Sequence, residues 1–306
     1  MKIKLKFISV IFSCFIFSQE IPSLFFEYKK KKLLFDVGEN WSENTNLGSS
    51  RFYDEKSVEN NSPDSLLIEF RFGFNNLNKN ILFYNYSHFS YKKYLYGYLY
   101  PRIVNNLDIY PEYSGIAQDI ARGGFISGET DYSGIGYQNK WLTFQFGRGR
   151  EIWGAGSDIE IIFSESAPSF DYGVLSSNYG NLKVKYIAGF LGTIQNNLNR
   201  YISARGLEWN NKKSLIFSLS EIVIFSGENR GFDFGYLNPI SSHLELELNN
   251  RLNNLGTSHS NAVWLLSLDL LLKNSFRYSI NYLIDEYVID EIQLEQGKEH
   301  GLAFSN

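Results

Sequence analysis

Residues 66–74 of the chain read LLIEFRFGF. The apolar residues Ile68, Phe70, Phe72 and Phe74 alternate with Glu69, Arg71 and Gly73. Successive side chains of a β-strand point to opposite faces of a sheet. The segment therefore has one apolar and one polar face, and this alternation predicts a β-strand that lies between two unlike surroundings.

The same alternation recurs along most of the chain. It is found in four further stretches, residues 142–146, 183–190, 264–270 and 276–283. From residue 66 onward we count about a dozen candidate strands, separated by turns rich in Asn, Gly, Asp and Ser. Repeated alternating segments of about ten residues are typical of membrane-spanning barrels. The sequence thus predicts an all-β fold, namely a transmembrane antiparallel β-barrel.

This prediction places one face of each strand against lipid and the other face toward the barrel lumen. The residues expected to face lipid are Ile68, Phe70, Phe72, Trp264, Leu266, Leu268, Tyr278 and Ile280. The residues expected to face the lumen are Arg71, Ser267, Arg277 and Asn281. Aromatic residues crowd the segment ends between residues 84 and 100, which favours the membrane because such residues form girdles at its interfaces. A water-soluble sandwich also alternates, but its apolar strand faces would pack on each other.

Composition narrows the class of protein. The chain has 306 residues, of which 43% are hydrophobic and 17% aromatic, and its formal net charge is −4. This composition is too apolar for a disordered chain, and one cysteine cannot make a disulfide scaffold. The near-balanced charge offers no basic surface to a nucleic acid. No apolar run beyond residue 18 reaches the roughly 20 residues of a membrane-spanning helix.

The N-terminus has the features of a secretory signal peptide. Three lysines within the first six residues precede the apolar run Phe7–Phe17, and Ser18 offers a small residue for cleavage. Residues 1–18 are therefore predicted to direct export, with the cell outer membrane as the destination. Cys14 lies inside this segment, so the mature chain would have no thiol. The alternative is a lipoprotein acylated at Cys14.

The chain divides into three predicted parts. Residues 1–18 are the signal peptide, residues 19–63 are a polar periplasmic leader or plug segment, and residues 64–306 form the barrel. The chain stops at Phe304-Ser305-Asn306, within a possible further strand. We therefore expect the barrel to be partial, with its C-terminal part incomplete.

Two motifs combine several residue types at fixed spacing. The first is GRGREIWGAG at residues 147–156, followed by IIFSESAP at residues 161–168. The second joins RGLEW at residues 205–209, LIFSLSE at residues 215–221 and YLNP at residues 236–239. A less specific acidic strand end, YLIDE at residues 282–286 with Asp290-Glu291, follows them.

Taken in this order, the motifs resemble those of the outer-membrane capsule assembly proteins of the Wzi family. Ala155 departs from the family pattern, which usually has Pro in this turn. The resemblance implies a large monomeric barrel that binds capsular polysaccharide at the cell surface without catalysis. The alternative function is an outer-membrane porin or solute channel, which requires an open lumen.

Two arginines in the first motif predict an ion network in the barrel. Arg148 and Arg150 alternate along one predicted strand and should share a face. If that face is the lumen, burial of two guanidinium groups requires carboxylate partners. The candidate partners are Asp158, Glu160, Glu165 and Glu221. Glu221 interrupts an apolar run and is expected to point inward, because a charge that faces lipid is costly.

Candidate sugar-binding residues lie in one turn and one loop. The indole of Trp153 offers a flat face for a sugar ring, and the alternative is that it fills the space above the Gly154–Gly156 turn. The loop after residue 226 combines charged, amide and aromatic groups. Its candidate residues are Glu228, Asn229, Arg230, Asp233 and Tyr236. The alternative is an ordinary polar loop at the barrel rim.

The sequence has no recognisable catalytic or metal-binding motif. Its four histidines, His88, His243, His259 and His300, have no nucleophile motif beside them. The His and Cys spacing typical of metal sites is also absent. We expect no enzymatic activity, no cofactor and no metal. The expected partners are a capsular or other surface polysaccharide and outer-membrane lipid, and the expected state is a monomer.

Overall fold

The computed structural model describes one short piece before residue 66 and most of the chain after it. The described residues are 45–48, 66–77, 80–92, 94–105, 118–120, 125–127, 132–156, 161–164, 167–194, 197–242, 259–273, 276–286 and 301–305. The predicted signal peptide and most of the predicted leader lie outside these ranges. Within them, no helix is long and apolar enough to cross a membrane.

The described residues form fifteen β-strands and one helical turn. The strands are β1 (Leu66–Leu77), β2 (Asn80–Tyr91), β3 (Leu95–Tyr100), β4 (Arg102–Val104), β5 (Gln118–Ile120), β6 (Phe125–Ser127), β7 (Tyr132–Gln138), β8 (Leu142–Gly149), β9 (Phe170–Tyr179), β10 (Leu182–Ile194), β11 (Leu198–Asn210), β12 (Leu215–Glu228), β13 (His259–Leu272), β14 (Phe276–Glu286) and β15 (Gly301–Ser305). The helical turn, α1, covers Phe234–Leu237. The predicted all-β class is confirmed.

All fifteen strands belong to one antiparallel sheet. From β7 to β15 each strand pairs with the next one along the chain. At the other side, β2 pairs with β1 on one edge and with β3 and β4 on the other, and these two pair with β7 and β6 respectively. No pairing between β1 and β15 is present among the described residues, so the observed architecture is one long antiparallel sheet.

The connections differ in length between the two ends of the sheet. At one end, which we call the short-turn end, the strands are joined by connections of two to four residues, namely 92–94, 139–141, 180–181, 211–214 and 273–275. Asn139 and Asn211 stabilise two of these turns, because each side-chain oxygen accepts hydrogen bonds from backbone N–H groups that follow it. The long-loop end carries the connections 150–169, 229–258 and 287–300 and the part of the chain from β4 to β7 that includes β5 and β6, whereas the connections after β1 and β10 are two and three residues long.

The two faces of the sheet differ in exposure. On the outer face of β1, Ile68, Phe70, Phe72 and Phe74 are 50, 61, 65 and 40% exposed. On β8, Phe144 and Phe146 continue this exposed face, whereas Thr143 and Gln145 are buried on the inner face. The predicted alternation is confirmed: large apolar side chains lie outside, and many polar side chains are buried inside.

The residues predicted to face the lumen follow this division. Ser267 and Asn281 are buried on the inner face, and Arg277 lies on the same face of β14. The side chain of Arg71 is outside the described part of the structure. Trp264, predicted to face lipid, lies on the outer face but is half-buried in an aromatic cluster there.

Tyrosines on the inner face lie over glycines of the neighbouring strand. A Cβ atom added at Gly136 would lie 2.4 Å from the Tyr96 ring, and one at Gly134 would lie 2.7 Å from the Tyr98 hydroxyl. Both hydroxyl groups bind Gln145, since Tyr96 Oη donates to Oε1 at 2.8 Å and Nε2 donates to Tyr98 Oη at 3.0 Å. These glycines are required because the rings approach the backbone closely.

Residues 150–156, the crossing segment, run over the inner face after β8. Arg150 donates to the Tyr132 hydroxyl on β7 at 2.9 Å, and Ala155 exchanges two hydrogen bonds of 2.7 Å with Asn281 on β14. In a flat sheet the seven strand spacings from β7 to β14 would measure about 34 Å. Five residues of extended chain span about 17 Å, and side chains stand roughly perpendicular to the sheet. The sheet therefore curls around the crossing segment.

An apolar core fills the space within this curl. Its members are Leu47, Trp153, Phe163, Phe170, Tyr172, Val174, Ile187, Ile202, Ala204 and Ile222. Leu47 belongs to the predicted leader and Trp153 to the crossing segment, so chain from outside the sheet supplies part of the core. A Cβ atom at Gly206 would lie 2.5 Å from Leu47, which shows how closely the leader approaches β11.

Gly147→Ala tests the packing between β7 and β8. The added Cβ would lie 2.2 Å from the Ser133 carbonyl oxygen and 2.6 Å from the Gly134 Cα, so the backbones must separate. We expect a loss of about 1–3 kcal/mol, typical of overpacking, measured as the change in the urea unfolding midpoint. Gly173→Ala is the matched control, because its Cβ would meet nothing closer than 3.9 Å. Equal losses at the two positions would contradict the observed packing.

Candidate functional site

A buried ion pair lies on the inner face. Lys185 Nζ is 2.6 Å from Glu151 Oε2, and the side chains are 0% and 3% exposed. The same carboxylate oxygen accepts a hydrogen bond of 3.3 Å from the Trp153 indole, and the Lys185 ammonium lies 5.7 Å from the centre of that ring. Because an unpaired buried charge is costly, these contacts fix the crossing segment to β10.

A second carboxylate binds the described piece of the predicted leader. Glu208 Oε2, on β11, accepts hydrogen bonds from the Asn46 backbone N–H at 2.6 Å and from the Thr45 hydroxyl at 2.8 Å. Lys183 Nζ, on β10, donates to the Thr45 hydroxyl at 2.7 Å and to a backbone carbonyl in the same piece. Residues 45–48 therefore lie on the inner face toward the short-turn end.

A third carboxylate, Asp269 on β13, is fully buried. Arg277 on the adjacent strand donates from Nε to both carboxylate oxygens, at 2.9 and 3.0 Å, and from Nη2 to Oδ2. The Ser279 hydroxyl donates to Asp269 Oδ1 at 3.1 Å. The charged groups of these inner strands thus bind one another or the chain that crosses them.

The predicted ion network around Arg148 and Arg150 differs from the observed one. β8 ends at Gly149, and the two arginines do not share a face. Arg148 lies on the outer face and pairs with Asp171 at 3.0 Å, whereas buried Arg150 donates to the Ala167 carbonyl at 2.7 Å. The prediction that the two arginines share a face is wrong because side chains alternate regularly only while the strand continues. The candidate partners Asp158, Glu160 and Glu165 lie outside the described residues.

Glu221 does not point inward as predicted. It lies on the outer face of β12, and its Oε2 is 3.2 Å from Nε of Arg205 on β11. The two side chains are 8% and 14% exposed. The prediction assumed that an outward carboxylate must meet lipid, but another part of the chain covers this ion pair.

That part is the covering segment, residues 229–242, which folds back from the long-loop end over the outer face of β10–β12. Tyr236 stacks on Phe225 with ring centroids 4.0 Å apart. Asp233 begins α1 by accepting the Gly235 N–H at 2.9 Å and also pairs with Arg230 at 3.5 Å. The segment thereby completes a second apolar cluster, which comprises Tyr201, Val223, Phe225, Tyr236 and Ala262 with Phe190 and Trp264 against it.

The six candidate sugar-binding residues have different positions. Trp153, Arg230 and Tyr236 are buried, with 1, 6 and 1% exposure. Asp233 is half-buried as the cap of α1. Glu228 and Asn229 are exposed at the long-loop end. The buried aromatic rings leave no face for a sugar, because they fill space in the two apolar clusters, so Trp153 takes the structural role that was its alternative.

Sequence reasoning missed the groups that hold the interior together. Lys185 is placed on the correct strand face by its alternation with Val184 and Tyr186, yet the pattern assigns it no partner. Glu151 lies outside any predicted strand, and its contact with Lys185 joins residues 34 positions apart. The useful signal is a charged residue at an inward position of an otherwise apolar strand, since such a residue requires a buried counter-charge.

Comparisons with known proteins found no matching family, no matching curated protein and no matching solved structure. Within the described ranges, no group of three or more His, Cys, Asp or Glu residues could hold a metal ion. The assignment of a function therefore rests on the geometry and on the motifs of the sequence.

Replacing one partner of the inner ion pair tests whether it fixes the interior. Lys185→Met leaves the Glu151 carboxylate buried without its counter-charge, so we expect a loss of about 3–5 kcal/mol in the free energy of unfolding. Adding Glu151→Gln should restore much of it, because the amide is neutral and still accepts the indole hydrogen bond. Urea unfolding of both single variants and the double variant gives the coupling energy.

Asp171→Asn is the control, since Asp171 in the Arg148 pair is 55% exposed. Its loss should be about 1 kcal/mol or less. If Lys185→Met costs no more than Asp171→Asn, the inner ion pair does not hold the crossing segment.

Proposed function

We propose that this chain is an outer-membrane protein that contacts lipid through the outer face of its sheet and holds surface polysaccharide at its long-loop end, without catalysis. The observation that carries the proposal is the inverted polarity of the sheet. Phe72, Phe146 and Ile135 are 65, 62 and 56% exposed, whereas Lys185 and Asp269 are fully buried. A water-soluble protein hides such an apolar face, whereas lipid requires it.

The connections support one orientation in the membrane. Bacterial outer-membrane barrels have short periplasmic turns and longer extracellular loops, so we assign the short-turn end to the periplasm. Exposed aromatic residues ring that end: Tyr91, Tyr94, Trp141, Tyr179, Trp209 and Phe276. Amphipathic rings of this kind occupy membrane interfaces. The long-loop end then faces the cell exterior.

The proposal includes closure of the sheet into a barrel. Backbone N–H and C=O groups at a lipid-facing edge need hydrogen-bond partners. The edges of β1 and β15, which have no strand partner among the described residues, must therefore be paired in the membrane, with each other or with further strands.

The filled interior favours a holding role over conduction. The crossing segment and residues 45–48 lie inside the curl of the sheet, and they are bound there by Lys185 and Glu208. A porin requires an open path along the same space. The packing of apolar and paired charged groups therefore supports the polysaccharide function more than the channel alternative.

The polysaccharide itself is inferred from the resemblance to capsule assembly proteins. The two motifs that carry it lie in parts of the structure with defined roles, the crossing segment and the β11–β12 pair with the covering segment. Polysaccharide can be held by repeated weak contacts, because binding at many sugar units adds through multivalency. Glu228 and Asn229, exposed at the long-loop end, are the candidate contact residues that remain accessible.

Phe146→Arg tests the lipid contact. The residue lies midway along β8 on the outer face, and a cationic side chain in the middle of a lipid belt costs about 2–4 kcal/mol. We expect this loss in the free energy of unfolding, measured by urea titration of the protein folded into phospholipid vesicles. Phe146→Leu, which stays apolar, should change the midpoint little. A tolerated arginine would mean that water, not lipid, surrounds this face.

Deletion of the gene tests the polysaccharide function. We expect capsule attached to the cells to fall and capsule in the medium to rise, and the wild-type gene should restore attachment. The double variant Glu228→Ala/Asn229→Gly should restore less, because it removes exposed polar groups while Gly tolerates the left-handed backbone at residue 229, whose φ is 49°. Lys213→Ala, at the opposite end, is the control. Unchanged attached capsule with reduced uptake of small solutes would support the channel alternative instead.

A further inference from the structure

Two large apolar side chains of the covering segment point away from the sheet. Phe234, in α1, is 85% exposed, and Ile240, just beyond α1, is 90% exposed. We propose that the outer side of the covering segment is immersed in lipid, where it continues the apolar belt across β10–β12. This inference rests on the proposed function, because it requires that the outer face of the sheet contacts lipid.

The position of the Arg205–Glu221 ion pair along the strands supports this proposal. Trp209 lies on the outer face at the short-turn end of β11, where an indole marks a membrane interface. Arg205 is four residues further along the strand, a rise of about 13 Å. An outer-membrane apolar belt is about 25 Å tall. The Arg205–Glu221 pair therefore lies within the depth of the belt, where direct contact with lipid would be costly.

On the long-loop side of Arg205, the outer face of β11 is not available to lipid. Leu207 and Trp209 are 47 and 42% exposed, but the outward side chains Tyr201 and Ser203 are buried beneath the covering segment. At this part of the circumference, the surface that meets the upper half of the belt is the covering segment itself. Its apolar side chains at positions 234 and 240 match that surrounding.

Three backbone carbonyls of the covering segment, those of Arg230, Tyr236 and Asn238, accept hydrogen bonds from side chains of the strands beneath them. Polar backbone groups in a bilayer need partners within the protein. The Tyr201 hydroxyl donates to the Arg230 carbonyl, and the Ser203 hydroxyl donates to the Tyr236 carbonyl, both at 2.8 Å. Further donors to these carbonyls and to that of Asn238 are Tyr186, Asn199 and Arg205. The outward-facing side chains of β10 and β11 are thus polar at the positions where they bind the covering segment.

The course of the segment joins it to the uncovered belt. It begins at the rim, where Arg230 contacts Tyr201, and descends until Asn238 contacts Arg205. The next outward residue of β11 toward the short-turn end is Leu207, which pairs with Leu219 on β12 and is exposed like it. Ile240 follows two residues after Asn238, so the apolar side of the segment ends at the height where the exposed strand face begins.

Site-directed spin labelling measures the surrounding of these side chains. In a Cys14→Ser background the chain has no other cysteine, so Phe234→Cys and Ile240→Cys can each carry one nitroxide in dioleoylphosphatidylcholine vesicles. Phe217→Cys, on the exposed outer face of β12, reports on the belt itself, and Lys213→Cys, in a short turn, reports on water. We expect the ratio of oxygen to nickel-chelate accessibility at 234 and 240 to be several-fold higher than at 213.

The control positions separate the failure of this inference from the failure of the proposed function. Water-like ratios at 234 and 240 with a lipid-like ratio at 217 would overturn the inference and leave the lipid contact of the sheet intact. Low accessibility to both probes at 240, with spin–spin broadening, would assign the surface to a second copy of the chain and also overturn it. A water-like ratio at 217 would overturn the proposed function itself.

Discussion

The Lys185–Glu151 ion pair is the interaction on which the rest of the interior depends. Lys185 stands on the inner face of the sheet and is fully buried, and its partner arrives on the crossing segment, outside the strands. Burial of an unpaired ammonium group would be prohibitive, so the segment has to lie across the inner face. Its contacts then reach from Tyr132 on β7 to Asn281 on β14, and the sheet must curl to meet it.

Once the inner face is occupied in this way, the large apolar side chains are left outside. Their exposure supports the proposed contact with lipid, because an uncovered apolar face of this extent is stable only against lipid or another apolar surface. The covering segment is the exception that supports this account. Where outward positions carry Arg205 and Glu221 instead of apolar residues, the chain folds back and shields them.

Much of the fold follows from local pattern, whereas the site does not. The alternation around Phe70 and Phe146 predicts strand class and outward face correctly, because side-chain direction in a strand depends only on parity. The predicted orientations of Arg150 and Glu221 are wrong for different reasons. Arg150 lies just beyond the end of β8, where parity no longer applies, and Glu221 lies beneath a loop whose return over the sheet is a long-range event without a local signal.

We propose that acyl chains, and not water or protein, surround the outer face. Lipid-edited solid-state NMR of the protein in bilayers measures this most directly, because magnetisation passes from acyl protons to the side chains that touch them. We expect rapid transfer to Phe72, Phe146 and Leu219 and slow transfer to Ile187 and Ile216 on the inner face. Transfer to the outer set from water alone, or equal transfer to both sets, would contradict it.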